Sequence, residues 1–146
     1  MHTRGFTLFE MLAVILLIAI AAAAVSIPIT QGLASARVNA ASGELAAALR
    51  WTRAQSIVHG ESLALEVDTS ASTYKPPGKS QVALPKDMRL SITSAREDQA
   101  NATTGRIRFF PDGSSTGGRI TLKRGQREWH VNVAWLTGAV SVVDSK

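Results

Sequence analysis

Residues 6–29 are mostly apolar and contain one carboxylate. This segment limits the possible folds and locations of the chain more than any other feature. Between Phe6 and Ile29 the only charged residue is Glu10. A helix over these residues would be about 36 Å long, which is enough to cross a hydrocarbon core of ~30 Å. A charge at the centre of such a helix costs roughly 2.5–3.5 kcal/mol on insertion scales, so such residues are rare and usually functional. The sequence therefore predicts a membrane helix over residues 6–29 whose glutamate needs a role.

The charges around this segment predict its orientation. Arg4 precedes the apolar run, and the next cation after it is Arg37, so the positive-inside rule keeps the N-terminus cytoplasmic and exports the remainder. A secretory signal cleaved after the alanines at 22–24 is the alternative. The short basic segment, the long apolar run and Glu10 all count against it.

The stretch "RGFTLFEMLAVILLIAIAAAAVSIP" resembles the class III leader and N-terminal helix of type IV pilins and type II secretion pseudopilins. The resemblance implies that residues 1–5 are a leader, that a prepilin peptidase cuts after Gly5, and that it methylates the new amine of Phe6. It also implies that Glu10 receives the Phe6 amine of a neighbouring chain during assembly, and Pro28 matches the family's proline near the end of the membrane helix. An interfacial glutamate without a partner is the alternative.

The helix is predicted to continue outside the membrane over residues 30–60. Apolar or small residues recur there at steps of three or four, which gives a stripe that should pack on a sheet: Val38, Ala41, Leu45, Leu49 and Thr52. Gly60 is a suitable helix stop.

Residues 61–146 have the alternation of strands and the turn residues of a β-rich globular domain. The predicted strands are "SLALEVD", "MRLSIT", "RIRFF", "GRITLKR", "EWHVNVAWL" and "AVSVV". Polar loops are predicted between them at 69–81 and 94–105. The expected fold is α+β and pilin-like, with a long N-terminal helix packed on an antiparallel β-sheet or β-sandwich.

Two C-terminal blocks, "RIRFFPDGSSTGGRITL" and "WHVNVAWLTGAVSVV", resemble the GspH/FimT family of H-type minor pseudopilins and their relatives in type IV pili. The resemblance implies a single-pass inner-membrane protein with a periplasmic domain. It would be assembled near the tip of a type II secretion pseudopilus with other minor pseudopilins and the major pseudopilin, where it would meet secreted proteins.

The residue types give no support for catalysis or a cofactor. The chain has no cysteine, and its three histidines are dispersed at His2, His59 and His130, so no pair has metal-ligand spacing. The glycine-rich run after Asp112 lacks the order of a phosphate loop, and no serine lies in a nucleophile elbow. The chain is predicted to be non-enzymatic.

Nucleic-acid binding is the main alternative, since some FimT-type relatives bind DNA through a G-R-x-R motif. The matching stretch here is "GAVS" at 138–141, without either arginine. Because phosphate contacts dominate such affinity, this loss counts against DNA binding. The net charge is only +5, but four basic residues could form a weak anion or DNA surface: Arg119, Lys123, Arg124 and Arg127.

The three tryptophans, Trp51, Trp129 and Trp135, are expected to anchor the core or an interface. Trp129 and Trp135 have the same strand parity, which predicts that they face the same side. Two other hypotheses stay open: a FimT-like minor type IV pilin with or without DNA uptake, and an unrelated, anchored periplasmic domain.

Overall fold

The computed structural model describes residues 6–94, 101 and 103–145, with the backbone alone for residues 25–35 and 145. The chain divides into two units, Met1–Arg37 and Val38–Lys146. The leader and most of the polar loop predicted at 94–105 therefore lie outside the described residues.

One helix, α1, runs from Leu8 to His59 over 52 residues. It ends where Gly60 adopts a φ of 66°, a conformation that glycine reaches without the steric cost of a Cβ. The N–H of Glu61 then donates to the carbonyl of Ser56 at 3.2 Å and closes the last turn. The helix is uninterrupted through Pro28.

Eight strands follow the helix. They are β1 (Leu63–Asp68), β2 (Thr73–Lys75), β3 (Val82–Ala83), β4 (Arg89–Thr93), β5 (Thr104–Phe109), β6 (Gly118–Arg124), β7 (Arg127–Val133) and β8 (Val140–Ser145).

The strands form two four-stranded sheets, with the orders β3-β2-β1-β5 and β4-β6-β7-β8. Every pair of neighbours is antiparallel. In the second sheet Ile120 faces Val131 and Leu122 faces Trp129 across the β6–β7 hairpin, so alternate residues of both strands enter the core. The predicted α+β fold, with a long N-terminal helix followed by antiparallel sheets, is confirmed.

The second half of α1 supplies one face of that core. Five of its apolar residues are buried together with strand residues of both sheets: Val38, Ala41, Leu45, Ala46 and Leu49. Thr52 is also fully buried, and its hydroxyl donates to the carbonyl of Ala48 at 2.8 Å, which satisfies the polar atom without a partner from the sheets. The predicted stripe therefore packs as expected.

Three local predictions were wrong. The loop predicted at 69–81 contains the short strand β2, because Thr73 and Tyr74 are buried and pair with β1. The strand predicted through Leu136 ends at Val133, where the chain turns back into β8. Trp129 is consequently buried while Trp135 is 67 % exposed, so the two indoles do not share a face.

Candidate functional site

The first turn of α1 carries the carboxylate singled out by the sequence. Thr7 precedes the helix, and its hydroxyl accepts a hydrogen bond from the N–H of Glu10 at 3.3 Å. The carbonyl of Thr7 accepts from the same N–H at 3.0 Å and from that of Met11 at 3.2 Å. Thr7 is thus the N-cap, and a carboxylate three residues later lies where the helix dipole favours negative charge.

Around Glu10 the helix is apolar on all sides and exposed. The large apolar side chains from Phe6 to Ile20 are between 42 and 86 % exposed: Phe6, Leu8, Phe9, Met11, Leu12, Val14, Ile15, Leu16, Leu17, Ile18 and Ile20. A helix that is apolar all round is stable only when other apolar matter surrounds it. An exposed apolar surface of this kind is typical of a segment that packs against other apolar groups.

Within the residues that the structure describes, no helical stretch has both the length and the hydropathy needed to cross a membrane. The side chains of residues 25–29, which belong to the membrane helix predicted at 6–29, lie outside the described part. Gly5, the predicted cleavage residue, lies outside it as well. Phe6, the predicted methylation site, is described and 73 % exposed, and it lies just before the start of the helix.

Two of the four candidate anion-binding residues lie on the outer face of the second sheet. Arg119 stands opposite Asn132 in the β6–β7 register, and its Nε donates to the Asn132 Oδ1 at 2.6 Å. Lys123 stands opposite Glu128, with 3.0 Å between its Nζ and the carboxylate. Both cations therefore already have polar partners on their own sheet.

Arg124 and Arg127 lie at the β6–β7 turn, at positions that alternate with those of Arg119 and Lys123 along the strands. Arg124 forms an ion pair with Asp87. Arg127 lies 3.4 Å from the carboxylate of Asp144, and its guanidinium is 4.9 Å from the centroid of the Trp129 ring. The four basic residues do not form one face. Lys123, Arg124 and Arg127 each lie beside a carboxylate, which reduces the positive field available to phosphates, whereas the partner of Arg119 is a neutral amide.

The stretch that matches the DNA-binding motif of FimT-type relatives is part of a tight loop. Gly138 has a φ of 62°, and a Cβ added there would lie 2.2 Å from the carbonyl oxygen of Gly113 and 2.7 Å from the Nε of Arg53. The glycine allows the β7–β8 loop to close on the turn before β6. No cation lies within Gly138–Ser141.

The described histidines make local hydrogen bonds. The Nδ1 of His59 lies 2.9 Å from the carbonyl of Gln55, and the Nδ1 of His130 lies 3.0 Å from the hydroxyl of Thr121. No group of three or more potential metal ligands comes together in the described part of the chain.

Two carboxylates, one in a turn and one at the end of β1, are also engaged in local hydrogen bonds. The Asp112 carboxylate accepts hydrogen bonds from the hydroxyl and the N–H of Ser114, and these bonds lower the pKa of Asp112. Asp68 accepts equivalent bonds from Ser70 together with one from the N–H of Ala71, and its pKa is lowered for the same reason. These side chains order turns.

The sequence did not predict the exposed apolar surface of the β7–β8 loop. The β7–β8 loop presents Trp135 and Leu136, which are 67 % and 66 % exposed. Its backbone is held firmly, because the carbonyls of Ala134 and Trp135 accept hydrogen bonds from Ser115 at 3.0 and 2.8 Å. The sequence predicted a hairpin connection at Thr137 and Gly138, but it placed Trp135 and Leu136 in the strand before that connection, whereas β7 ends at Val133.

Comparison with known proteins gives matches at both ends of the chain. A family model for the type II transport protein GspH matches residues 41–138. A model for the prokaryotic N-terminal methylation motif matches residues 1–26. The first match covers most of the folded domain and ends before β8, and the second covers the exposed apolar residues with their carboxylate.

A curated relative and a solved structure agree with these models. The chain is 39 % identical over 137 residues to the type II secretion system protein H of Xanthomonas campestris pv. campestris, an alignment that covers 94 % of this chain and 81 % of the relative. The fold is similar to that of the minor pseudopilin EpsH from the type 2 secretion system of Vibrio cholerae, with a TM-score of 0.57. At 10 % identity, this match covers 73 % of this chain and 95 % of the other, and it shows likeness of fold.

Proposed function

Because this chain belongs to the GspH family of type II transport proteins, we propose that it is a minor pseudopilin, a subunit that is cut, methylated and then assembled through the first half of α1. The observation that carries the proposal is the exposed apolar helix from Phe6 to Ile20, which has a single carboxylate in its first turn. Among the residues whose side chains the structure describes, the core of the folded domain begins at Val38 and includes none of this segment.

Cleavage after Gly5 would give the helix a new charged end. The free amine of Phe6 would then lie four residues before Glu10 in the sequence, at the end of α1 where the unpaired backbone N–H groups already favour an anion. In a bundle of such helices, away from water, a carboxylate needs a cation. The Phe6 amine of a neighbouring subunit would supply it.

The same apolar helix would also hold the subunit in the membrane before assembly. A helix over 6–29 would hold the subunit in the inner membrane, with the charge of Glu10 close to the cytoplasmic interface where headgroups and water lower its cost. The folded domain would then lie in the periplasm. The partners in this proposal are a prepilin peptidase, the major pseudopilin and other minor pseudopilins, with secreted proteins met by the assembled fibre.

The subunit would act mechanically, without catalysis or a cofactor. It would contribute one helix to the bundle and one rigid domain to the fibre surface, so that growth of the fibre moves a folded export substrate. Binding to DNA is not favoured, because the four candidate cations are already paired on two different faces.

The test is the substitution Glu10→Ala in the full chain, expressed in a host with a working type II secretion system. We expect normal membrane insertion and normal processing, found by mass spectrometry as a chain that starts at methylated Phe6, together with loss of incorporation into pseudopili. Glu44→Ala is the matched control, because Glu44 is exposed on the same helix but lies in the folded domain. A mature N-terminus after the alanines at 22–24 would overturn the proposed processing, and unimpaired secretion by the Glu10 variant would overturn the pairing.

A further inference from the structure

The strand β8 forms one edge of the second sheet, and a side chain on its inner face is uncovered. Val142 stands opposite Val131 in the β7–β8 register, and directly opposed residues lie on the same face of a sheet. Val131 is fully buried, whereas Val142 is 40 % exposed. At the other edge of the same sheet, Leu90 on β4 stands opposite the buried Leu122 and is only 4 % exposed. The core is therefore closed at β4 and open at β8.

The register also shows which backbone groups of β8 point away from β7. The N–H of Ala134 donates to the carbonyl of Ala139 at 3.0 Å, directly before the ladder begins. Opposed residues in an antiparallel pair exchange hydrogen bonds at every second position, so Ser141 and Val143 bond to β7. Two residues between and after them direct their N–H and C=O groups outward: Val142 and Asp144.

The carbonyl of Val140 has the same outward direction and is already occupied. The Nη2 of Arg50 on α1 donates to it at 3.1 Å. Beyond this bond, β8 is the last strand of its sheet, so within the described residues the outward groups of Val142 and Asp144 have no backbone partner. In the free subunit only water can satisfy them.

The other features of β8 suit it to pairing with another chain. Edge strands are normally protected by short length, by lysine or proline, or by a bulge. β8 has six residues with the sequence VSVVDS and pairs with β7 in an unbroken register. By contrast, β3 has two residues, and the end of β5 is covered because the N–H of Thr116 donates to the carbonyl of Arg108 at 2.9 Å. β8 is the longer and less protected edge.

The open edge lies beside the second half of α1, which supplies a cation. The Asn39 Oδ1 accepts from the Trp129 indole on β7, and Arg50 reaches Val140 on β8, so the helix passes alongside both strands. Arg50 is exposed and forms no ion pair with a carboxylate of the described part of the chain. A strand added to β8 would have Arg50 at one end, where a carboxylate on that strand would be favoured.

We propose that β8 receives an extended strand from the folded domain of a different pseudopilin, which pairs with Val142 and Asp144, covers the Val142 side chain and presents a carboxylate to Arg50. This inference rests on the proposed function and deepens it, since it names the surface by which the folded domain meets a neighbouring subunit. The occupant is a subunit of another kind because those are the neighbours of a minor subunit in a fibre.

The two parts of this contact have different roles. In strand addition the main-chain hydrogen bonds supply affinity, and the side chains beside them supply specificity. Pairing at so short an edge is weak by itself. Packing of the two N-terminal helices in one bundle would hold the folded domains close together, which raises the effective concentration of the strand.

Amide exchange tests the proposal at single residues. The mature full chain is isotope-labelled for NMR and purified in detergent, and the other pseudopilins of its secretion system are added in turn, full-length and unlabelled. With one of them we expect exchange at Val142 and Asp144 to slow about fivefold or more, while exchange at Ser141 and Val143 changes less than about twofold. Ser141 and Val143 are internal controls, because β7 already protects their N–H groups.

A charge in the pairing edge should block the contact. Val142→Lys adds an ammonium group where the incoming strand would cover an apolar side chain, and we expect it to abolish the slowing at Asp144. Ser91→Lys is the matched control, because Ser91 is exposed in the middle of β4 at the opposite edge of the same sheet. Arg50→Glu leaves the sequence of β8 unchanged and should weaken binding by roughly two- to fivefold, which keeps the test valid if Val142→Lys disturbs the domain.

Unchanged exchange at Val142 and Asp144 with every pseudopilin, or equal slowing at Ser141 and Val143, would overturn the inference. Slowing produced only by a second copy of this chain or only by a secreted protein would also overturn it. A complex with another pseudopilin that Glu10→Ala abolishes, without any change at β8, means that this inference alone has failed. An unprocessed N-terminus in mass spectrometry, or no complex with any pseudopilin, means that the proposed function has failed and this inference with it.

Discussion

The two parts of α1 are continuous in backbone but opposite in what their apolar side chains contact. From Phe6 to Ile20 the large apolar residues are exposed all round the helix, whereas from Val38 to Leu49 one face is fully buried. In the second part, polar residues such as Glu44 and Arg50 occupy the remaining surface. The comparison teaches that one helix can serve two environments if its pattern changes along its length.

The largest expected effect on stability comes from truncating one leucine to alanine in each part of α1. Leu49→Ala removes a residue with no exposed area from the core, and we expect it to lower the free energy of unfolding by about 2–5 kcal/mol. Leu16→Ala, at an exposed position of the first part, should change it by less than about 0.5 kcal/mol. Urea unfolding of the full chain in detergent, followed by tryptophan fluorescence, measures both. Equal losses of unfolding free energy in the two variants would contradict the difference between the two parts of α1.

A smaller effect is expected from the polar bond that ties the second part of α1 to the second sheet. The indole N–H of Trp129 donates to the Oδ1 of Asn39 at 3.0 Å. Asn39→Ala would leave that buried N–H unsatisfied, which should cost about 1–3 kcal/mol. Asn39→Asp keeps an acceptor and serves as the control in the same unfolding measurement. A loss as large for Asn39→Asp as for Asn39→Ala would mean that the hydrogen bond is not the cause.

The N-cap of α1 tests whether the first part behaves independently. Thr7→Ala removes the hydroxyl that accepts from the N–H of Glu10, and loss of an N-cap costs about 0.5–2 kcal/mol of helix stability. We expect faster hydrogen exchange confined to the first turn, with the urea midpoint of the folded domain unchanged. Thr7→Ser is the control because it keeps the hydroxyl. A shift of the global midpoint would contradict the independence of the two parts.

The smallest expected effect is a gain in stability from a substitution in the second part of α1. Gly43 lies on the exposed side of α1, and a Cβ added there would meet no atom within 4 Å. Gly43→Ala should therefore stabilise the domain by about 0.5–1 kcal/mol through helix propensity. Gly138→Ala is the contrasting control, because its φ of 62° and its contact with Gly113 forbid a Cβ. Destabilisation by Gly43→Ala would show that this face of the helix is covered.

Much of the fold was predictable because the periodicity of the residues was clear. The spacing of Val38, Leu45 and Leu49 gave the buried face of α1, and Gly60 marked its end. The strand β6 has the bounds that its alternation predicted. The short strands β2 and β3 were not predictable, because Pro76, Pro77 and Gly78 dominate that stretch and only pairing with β1 makes Thr73–Lys75 a strand.

The candidate functional residues also divide into those that the sequence identified and those whose placement only the structure showed. Phe6 and Glu10 stood out because a charge in an apolar helix is costly wherever it lies, and their roles stay proposals. The four basic residues could be named from composition, but only the β6–β7 register showed that two lie on one face and two at the turn, each with a partner. Trp135 was misplaced because strand parity cannot foresee where a strand stops.

The sequence alone determined the kind of molecule: an apolar helix with one carboxylate, a change of pattern along that helix, and an alternating β-rich domain after Gly60. These are local properties, set by side-chain chemistry and by periods of 3.6 and 2 residues. Only the tertiary structure decided which charges are neutralised and which apolar residues remain exposed. Both depend on contacts between residues far apart in the chain, such as Arg53 with Gly113 and Ser115 with Trp135, and no local pattern encodes them.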